Sequence, residues 1–261
     1  MKTDYIKQGN SADLLKTLPT ESVDMVMTSP PYDNLRDYKS YDFPFETIAN
    51  ELGRVIKPGG VIVWVIADQT VNGSESGSSF KQALYFKQIG LNLHDTMIWA
   101  KDSCAFPETT RYYQTFEYMF VFSKGRPKTI NLIDDRENKW GGCNVYGTFR
   151  KPNGETVDRS TTWKSTMCKD YGVRFNVWNI PAAKGNKTGH PAVFPKQLVA
   201  DHIISWSAKG DLVLDPFVGS GTTALVAFEM GRHYIGFDIA KEYVDIANER
   251  MKNAVQQQTL F

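Results

Sequence analysis

The sequence lacks long apolar runs, and this absence narrows the classes of protein to which it can belong. Its longest uninterrupted apolar stretch covers only residues 61–67, whereas a membrane-spanning helix needs about 20 residues. Residues 1–4 are not followed by the apolar stretch that a signal peptide carries. We therefore expect a protein of the cytoplasm that makes no contact with a membrane.

Cysteine is also scarce. The chain of 261 residues has three cysteines, Cys104, Cys143 and Cys168, and none of them belongs to a Cys-x-x-Cys pair. An odd, scattered set of this kind argues against a disulfide framework and against a zinc site. The sequence around His190 also lacks the spacing of metal ligands, so we expect no metal cofactor.

A large excess of charge of one sign is missing from the chain as a whole, but not from one part of it. The formal net charge is +1, yet residues 124–190 contain 13 lysines and arginines against 6 aspartates and glutamates. The rest of the chain is correspondingly acidic. This asymmetry indicates a basic region that meets phosphate, although a solvated basic surface would give the same count.

Strand and helix patterns alternate on both sides of this basic region. We predict a doubly wound α/β fold of the Rossmann-like type, in which residues 1–123 and 191–261 form the catalytic domain and residues 124–190 form an inserted target-recognition region. The apolar run at residues 61–67 is typical of a central parallel strand. Strands are predicted at residues 24–28, 61–67, 93–100, 116–123, 211–215 and 234–238, and helices at residues 45–56, 80–88, 195–205, 222–230 and from 241 onward.

A glycine-rich turn follows one of these strands. Residues 215–224 read Asp-Pro-Phe-Val-Gly-Ser-Gly-Thr-Thr-Ala, and Gly219 and Gly221 allow a ligand to approach the backbone closely. Asp238 ends the next predicted strand, where a carboxylate can accept hydrogen bonds from ribose hydroxyls. No lysine follows the glycines, so the turn is not a P-loop. By itself it suits either a dinucleotide or a nucleoside-containing methyl donor.

A second motif, Ser-Pro-Pro-Tyr at residues 29–32, directly follows the predicted strand that ends at Thr28. The exocyclic nitrogen of a base is a poor nucleophile because its lone pair is delocalised into the ring. Acceptors at Ser29 and at the Pro30 carbonyl, on a backbone that Pro30 and Pro31 hold rigid, would take hydrogen bonds from both N–H groups and free this lone pair. Tyr32 would stack on the base. A rigid turn that merely ends a strand could have the same sequence.

Taken together, residues 28–32 (Thr-Ser-Pro-Pro-Tyr) and residues 215–223 resemble the motifs of the β-class amino-methyltransferases of DNA. In that class the catalytic motif precedes the cofactor motif, with the target-recognition region between them, as it does here. The resemblance covers nearly the whole chain. It implies that a methyl group passes from S-adenosylmethionine to the exocyclic amine of a base in double-stranded DNA, with S-adenosylhomocysteine as the product.

The resemblance also assigns cofactor contacts to individual residues. Asp13, within residues 9–15 (Gly-Asn-Ser-Ala-Asp-Leu-Leu), is the expected partner of the adenine amino group. Phe194, within residues 190–195 (His-Pro-Ala-Val-Phe-Pro), is expected to pack against the donor. Asp215 would bind the amino group of the donor, and Phe217 would lie near its adenine. The other expected contacts are Gly219, Ser220, Gly221, Thr222 and Asp238.

Ser29 bears on the choice of base. Members of the class that methylate adenine often have aspartate at this position, whereas members with Ser-Pro-Pro-Tyr more often act at N4 of cytosine. We therefore predict N4 of cytosine, with N6 of adenine as the alternative. Methylation at cytosine C5 is disfavoured, because no cysteine follows a proline to serve as the nucleophile.

The target amine is inaccessible inside a duplex, so the base must be flipped out of the stack. Basic residues after the catalytic motif and in the inserted region are candidates for contact with phosphates or base edges, with a solvated surface charge as the alternative for each. They are Arg36, Lys39, Lys124, Arg126, Lys128, Arg150, Lys151, Arg159, Lys164 and Arg174.

A homodimer and a cognate restriction endonuclease in a restriction-modification pair are candidate partners by analogy with the class. Three other functions stay open: a nicotinamide-dependent oxidoreductase that uses the glycine turn, a DNA-binding protein without activity, and a methyltransferase of RNA or of a protein glutamine. The oxidoreductase would leave Ser-Pro-Pro-Tyr unexplained.

Overall fold

The computed structural model describes residues 1–31, 43–104, 109–159, 167–183 and 194–258. Five residues named above lie outside this part of the chain, namely Tyr32, Arg36, Lys39, Lys164 and His190. Within the described residues, no helix is long and apolar enough to cross a membrane.

Strands and helices alternate through most of the chain, as the sequence predicts. The strands are β1 (Tyr5–Gln8), β2 (Val23–Thr28), β3 (Ile56–Ile66), β4 (Thr70–Val71), β5 (Ser74–Glu75), β6 (Asn92–Ala100), β7 (Phe116–Ser123), β8 (Arg136–Glu137), β9 (Thr148–Arg150), β10 (Thr156–Asp158), β11 (Tyr171–Gly172), β12 (Val177–Asn179), β13 (Leu212–Asp215) and β14 (His233–Asp238). The helices are α1 (Ser11–Lys16), α2 (Phe45–Val55), α3 (Ser78–Gln88), α4 (Lys196–Trp206), α5 (Thr222–Glu229) and α6 (Lys241–Gln258).

Eight strands form one sheet in the order β1-β14-β13-β2-β3-β7-β6-β12. Neighbours in this sheet are parallel, except that β7 runs antiparallel to both β3 and β6. The order in which the chain adds strands to the sheet reverses between the parallel neighbours β13 and β2. From β13 the chain passes through α5 to β14 on one side, and from β2 it passes through α2 to β3 on the other. Ligands of doubly wound folds bind at the carboxyl ends of the strands at such a switch point.

The central strands of the sheet are buried on both faces, which explains why β2, β3, β7 and β13 are largely apolar. On β2, Met25 and Met27 pack with the buried side chains of α4, α5 and α6. Val26, which points to the opposite face, packs with those of α1, α2 and α3. The result is a three-layer arrangement that leaves the strand ends as the exposed edges of the sheet.

The boundaries of the inserted region differ from the sequence prediction. The chain divides into one compact unit of Met1–Asn131 with Asn176–Phe261, and a second of Leu132–Phe175. Residues 124–131 and 176–183 therefore belong to the first unit. The prediction missed β12, a strand of only three residues, which pairs with β6 and is followed by a hydrogen bond of 2.7 Å from Trp99 Nε1 to the Ile180 carbonyl. The second unit contains two short antiparallel pairs, β9 with β10 and β8 with β11.

Gly221, the N-cap residue directly before α5, has a left-handed conformation with φ of +83°, and a Cβ at this position would lie 2.8 Å from the Cβ of Ala247 on α6. Gly210 has a similar φ of +81°, but a Cβ there would meet no other atom within 4 Å. Both glycines therefore avoid the left-handed strain of an L-residue, but only Gly221 also allows close helix packing.

We expect Gly210→Ala to lower the free energy of unfolding by about 1–2 kcal/mol. Gly221→Ala should cost about 1–3 kcal/mol more, because its Cβ overlaps α6. Urea unfolding of the two variants measures the difference. Equal losses would show that α6 gives way and that the close approach does not constrain the turn.

Candidate active site

The carboxylate of Asp215, at the end of β13, lies at the centre of the switch point. It is buried and accepts a hydrogen bond of 2.6 Å from Thr28 Oγ1 at the end of β2. It also accepts one of 3.1 Å from the backbone N–H of Phe217 and one from the side chain of Thr223. This carboxylate therefore joins the strand before the Ser-Pro-Pro-Tyr motif to the strand before the glycine turn.

Burial raises the pKa of Asp215 to about 6, and the three hydrogen bonds oppose this shift. The nearby charge of Asp238 acts in the same direction as burial. Among the described residues, the hydrogen-bond donors to Asp215 are neutral groups. A buried carboxylate with neutral donors is a favourable partner for a cationic ligand group, because the cation would offset the cost of its charge.

Asp238, at the end of β14, is a second carboxylate that holds the glycine turn. Its Oδ2 accepts a hydrogen bond of 2.9 Å from the backbone N–H of Gly219, and its Oδ1 accepts one of 2.9 Å from that of Ala240. Burial raises the pKa of Asp238, while the backbone hydrogen bonds lower it. Each carboxylate oxygen can accept a further hydrogen bond, so this structural role is compatible with the predicted contact to ribose.

Side chains of α6 and α1 also hold the glycine turn in place. Arg250, on α6, donates to the carbonyl of Ser220 and lies 3.2 Å from its Oγ and 3.4 Å from Thr222 Oγ1. Ser11 Oγ, on α1, donates to the carbonyl of Pro216. Ser220 and Thr222 are buried, so the structure shows them engaged in fixing the turn.

The Ser-Pro-Pro segment begins where β2 ends. Pro30 is buried, and Ser29 and Pro31 are half-buried. Thr28 is hydrogen-bonded to Asp215, and the Ser-Pro-Pro-Tyr motif and the glycine turn start from adjacent strands at one edge of the sheet. Tyr32, the predicted stacking residue, falls in the part of the chain that is not described.

Two of the other predicted cofactor residues, Phe217 and Phe194, pack against aromatic side chains. Phe217 is half-buried, and its ring centroid lies 5.5 Å from that of Phe43 and 6.3 Å from that of Trp64. Phe194 packs against Trp99 with a centroid distance of 6.3 Å.

Asp13 lies in the first turn of α1, where its side chain is 72% exposed and is 3.3 Å from Lys16. Its contact with the adenine of the donor stays a prediction.

Three of the predicted DNA contacts lie at the opposite edge of the sheet. Lys124, Arg126 and Lys128 follow the antiparallel strand β7, which ends beside the beginning of β3. Lys124 donates to the carbonyls of Gly53 and Ile56 at 3.2 Å each, and Lys128 N–H donates to the Gly59 carbonyl at 2.9 Å. A strand of six residues separates this edge by roughly 20 Å from the one where the Ser-Pro-Pro-Tyr motif begins, which argues against contact of these residues with a base bound at that motif.

The other described candidates lie in the second unit. Arg174 donates to Asp135 Oδ1 at 3.0 Å, and Lys151 pairs with Glu155 at 3.0 Å. Arg150 and Arg159 are exposed. This unit has 8 lysines and arginines against 6 aspartates and glutamates, so much of the predicted basic excess lies outside it.

Comparison with known proteins identifies the fold and then the family. The structure matches the cytosine-N4-specific PvuII DNA methyltransferase with a TM-score of 0.69 and 22% identity, covering 98% of this chain and 91% of that one. It matches the M1.HpyAVI–S-adenosylmethionine complex with a TM-score of 0.63 and 21% identity, covering 95% and 98%. The fold is therefore that of a Rossmann-like DNA methyltransferase, as the sequence predicts.

Sequence comparison goes further than the fold. The family model described as DNA methylase matches residues 23–249. The orphan methyltransferase M.BamHII of Bacillus amyloliquefaciens is 57% identical over 242 residues, which cover 90% of each protein. The chain belongs to the DNA methylase family, whose members methylate N6 or N4 amino groups. This confirms the predicted resemblance and decides against the oxidoreductase.

Sequence reasoning missed several residues that build the site. Thr28 and Thr223 lie within the two motifs but received no predicted role, although hydroxyl side chains at the end of a buried strand and beside a glycine turn are a recognisable signal. Arg250 has no local signal, because it lies about 30 residues from the turn that it holds. Within the described residues, no group of three His, Cys, Asp or Glu side chains could hold a metal ion.

The pKa of Asp215 gives a test of its environment. Because the folded-state pKa lies above the unfolded one, ionisation of Asp215 lowers stability as pH rises from about 4 to about 6. We expect Asp215→Asn to remove this loss. Its effect on the free energy of unfolding should therefore be more favourable at pH 8 than at pH 4.5.

Urea unfolding at the two pH values measures this difference, in which any packing cost that is independent of pH cancels. Asp245→Asn, which removes an exposed carboxylate paired with Lys241, serves as the control with the same change of charge. The same effect of Asp215→Asn at both pH values would mean that the carboxylate is not destabilised by burial.

Proposed function

We propose that this DNA methyltransferase uses S-adenosylmethionine to methylate N4 of cytosine in a flipped-out base. The hydrogen bond of 2.6 Å between Thr28 and Asp215 carries the proposal. It joins the strand that precedes Ser-Pro-Pro-Tyr to the strand that precedes the glycine turn, so a donor held at the turn lies beside a base held at the motif.

The residues at the turn fit S-adenosylmethionine. The buried Asp215 carboxylate has neutral donors among the described residues and suits the amino group of the donor. Asp238, 2.9 Å from the Gly219 N–H, is positioned to accept hydrogen bonds from the ribose. Because Gly221 has no Cβ, α6 can pack closely against the turn. S-adenosylmethionine supplies an electrophilic methyl group when it is bound.

The chain's own residues supply the activation of the base. Ser29 Oγ and the Pro30 carbonyl are the acceptors for the two amino hydrogens, and they direct the nitrogen lone pair toward the donor. Pro30 is buried at the end of β2, and a rigid acceptor of this kind needs no rearrangement during the reaction. Tyr32 holds the ring by stacking. Because Ser29 is a weak base, the amino proton passes to solvent water after methyl transfer, when the nitrogen is positively charged and the proton is acidic.

The preference for cytosine rests on Ser29. The residue places a neutral hydroxyl, rather than a carboxylate, beside the target amine. Within the β-class this residue type accompanies N4-cytosine methylation more often than N6-adenine methylation. N6 of adenine is the other outcome that the family allows.

The test is to incubate the protein with S-adenosylmethionine and unmethylated DNA, digest the DNA to nucleosides, and identify the product by mass spectrometry. We expect N4-methyldeoxycytidine. Tyr32→Ala should lower the rate of product formation by about 100-fold or more, on the scale of lost positioning, while donor affinity measured by calorimetry changes little. Tyr32→Phe keeps the ring and is the matched control.

Each other result has a definite meaning. N6-methyldeoxyadenosine would overturn the choice of base and leave the amino-methyltransferase mechanism standing. Full activity of Tyr32→Ala would overturn the stacking role. Donor binding without any methylated deoxynucleoside would overturn DNA as the substrate under this proposal.

A further inference from the structure

Tyr112 is a fully exposed aromatic side chain in the segment between β6 and β7. Both β6 and β3 run antiparallel to β7, so β6 ends at the same edge of the sheet as β2, β3 and β13. The segment that carries Tyr112 therefore lies at the catalytic edge, within the same compact unit as the site. Among the large apolar and aromatic side chains of the described residues, that of Tyr112 is the most exposed.

Two hydrogen bonds hold the described part of the segment. The guanidinium of Arg111 donates to the carbonyl of Gly73, which lies in the tight turn between β4 and β5. At the base of the segment, Lys101 N–H donates to the Thr115 carbonyl at 2.7 Å. Tyr112 therefore extends from a backbone that is tied to the loop following β3.

The turn that holds Arg111 is itself anchored by a buried carboxylate. Asp68, two residues after β3, accepts hydrogen bonds from Ser76 Oγ at 3.1 Å, from Ser78 Oγ at 3.2 Å and from Ser79 N–H at 2.9 Å. Burial of Asp68 is thereby compensated, and the β4–β5 hairpin is fixed to the start of α3. Arg111, next to Tyr112, is thus bound to a hairpin that Asp68 holds in place.

The distance between the strand ends that carry the Tyr112 segment and the end of β2 is similar to the distance over which a base moves when it flips. In the sheet, β7 is two strands from β2 and β6 is three, so the strand ends that carry the Tyr112 segment lie about 10–14 Å from the end of β2, which Ser29 follows. A base that turns by about 180° around its backbone moves from inside the duplex to a similar distance outside it. With grooves about 8 Å deep, this displacement is on the order of 10–15 Å.

We propose that Tyr112 inserts into the base stack and fills the gap that the flipped target base leaves. This inference rests on the proposed function, since it requires a base that leaves the duplex. A flat aromatic ring can stack on the bases on either side of the gap, and such contacts do not depend on sequence. The guanidinium of the adjacent Arg111 adds a positive charge near the phosphates of the opened strand.

The test compares two duplexes that contain a site methylated by the wild-type enzyme. In one the target base is paired, and in the other it faces a mismatched base and is already easier to flip. We expect Tyr112→Ala to lower the single-turnover rate on the paired duplex by roughly 10- to 100-fold. On the mismatched duplex the loss should stay under about threefold. Tyr112→Phe, which keeps the ring, should behave as the wild type on both.

A fluorescence measurement gives a readout independent of methyl transfer. With pyrrolocytosine, a fluorescent cytosine analogue that pairs with guanine, as the target base, Tyr112→Ala should lower the fluorescence increase that accompanies flipping on the paired duplex. Equal losses on both duplexes, or no loss on the paired one, would overturn the inference. If the wild-type enzyme methylates no base in any unmethylated DNA, so that no such site is found, the proposed function is overturned instead, and the two failures are therefore distinguishable.

Discussion

The buried carboxylate of Asp215 is the interaction on which the rest of the site depends. It lies at the end of β13 and accepts a hydrogen bond of 2.6 Å from Thr28 at the end of β2. These two strands are neighbours at the switch point, where the strand order of the sheet reverses. The two motifs of the protein follow them directly. This hydrogen bond, together with the backbone pairing of β13 and β2, therefore fixes the Ser-Pro-Pro-Tyr motif relative to the glycine turn. The backbone N–H of Phe217 fixes the first step of the turn to the same carboxylate.

Burying this carboxylate has a cost that the fold alone does not require. Burial raises its pKa to about 6, so at neutral pH the folded protein keeps a charge in an unfavourable environment. An asparagine would fit the same space without that penalty. Sites that trade stability in this way are commonly those that bind a charged ligand or carry out chemistry. In the proposed site this charge pairs with the amino group of the methyl donor, which would replace the neutral donors as its strongest partner.

Sequence patterns predicted the parts of the fold that depend on local order. The apolar run at residues 61–67 and the glycine turn at Gly219 and Gly221 indicated the central strand and the cofactor motif, because their residue types leave few alternatives. Features that depend on distant pairing were not predictable. The basic residues after β7 were assigned to the inserted region, yet the antiparallel direction of β7 places Lys124 at the far edge of the sheet. The contact of Arg250 with Ser220 joins residues 30 apart and has no periodic signature.

The most direct test of the role of Asp215 is the affinity of two ligands for the wild type and for Asp215→Asn. S-adenosylhomocysteine contains the amino acid part of the donor, including its α-amino group. Methylthioadenosine has the same adenosine and sulfur but lacks the amino acid part. If Asp215 binds this amino group, calorimetry will show a loss of about tenfold or more for S-adenosylhomocysteine and an unchanged affinity for methylthioadenosine, as expected for a charged hydrogen bond. Equal losses for both ligands would mean that Asp215 acts only through the shape of the turn, and unchanged affinity for both would contradict any role of Asp215 in holding the donor.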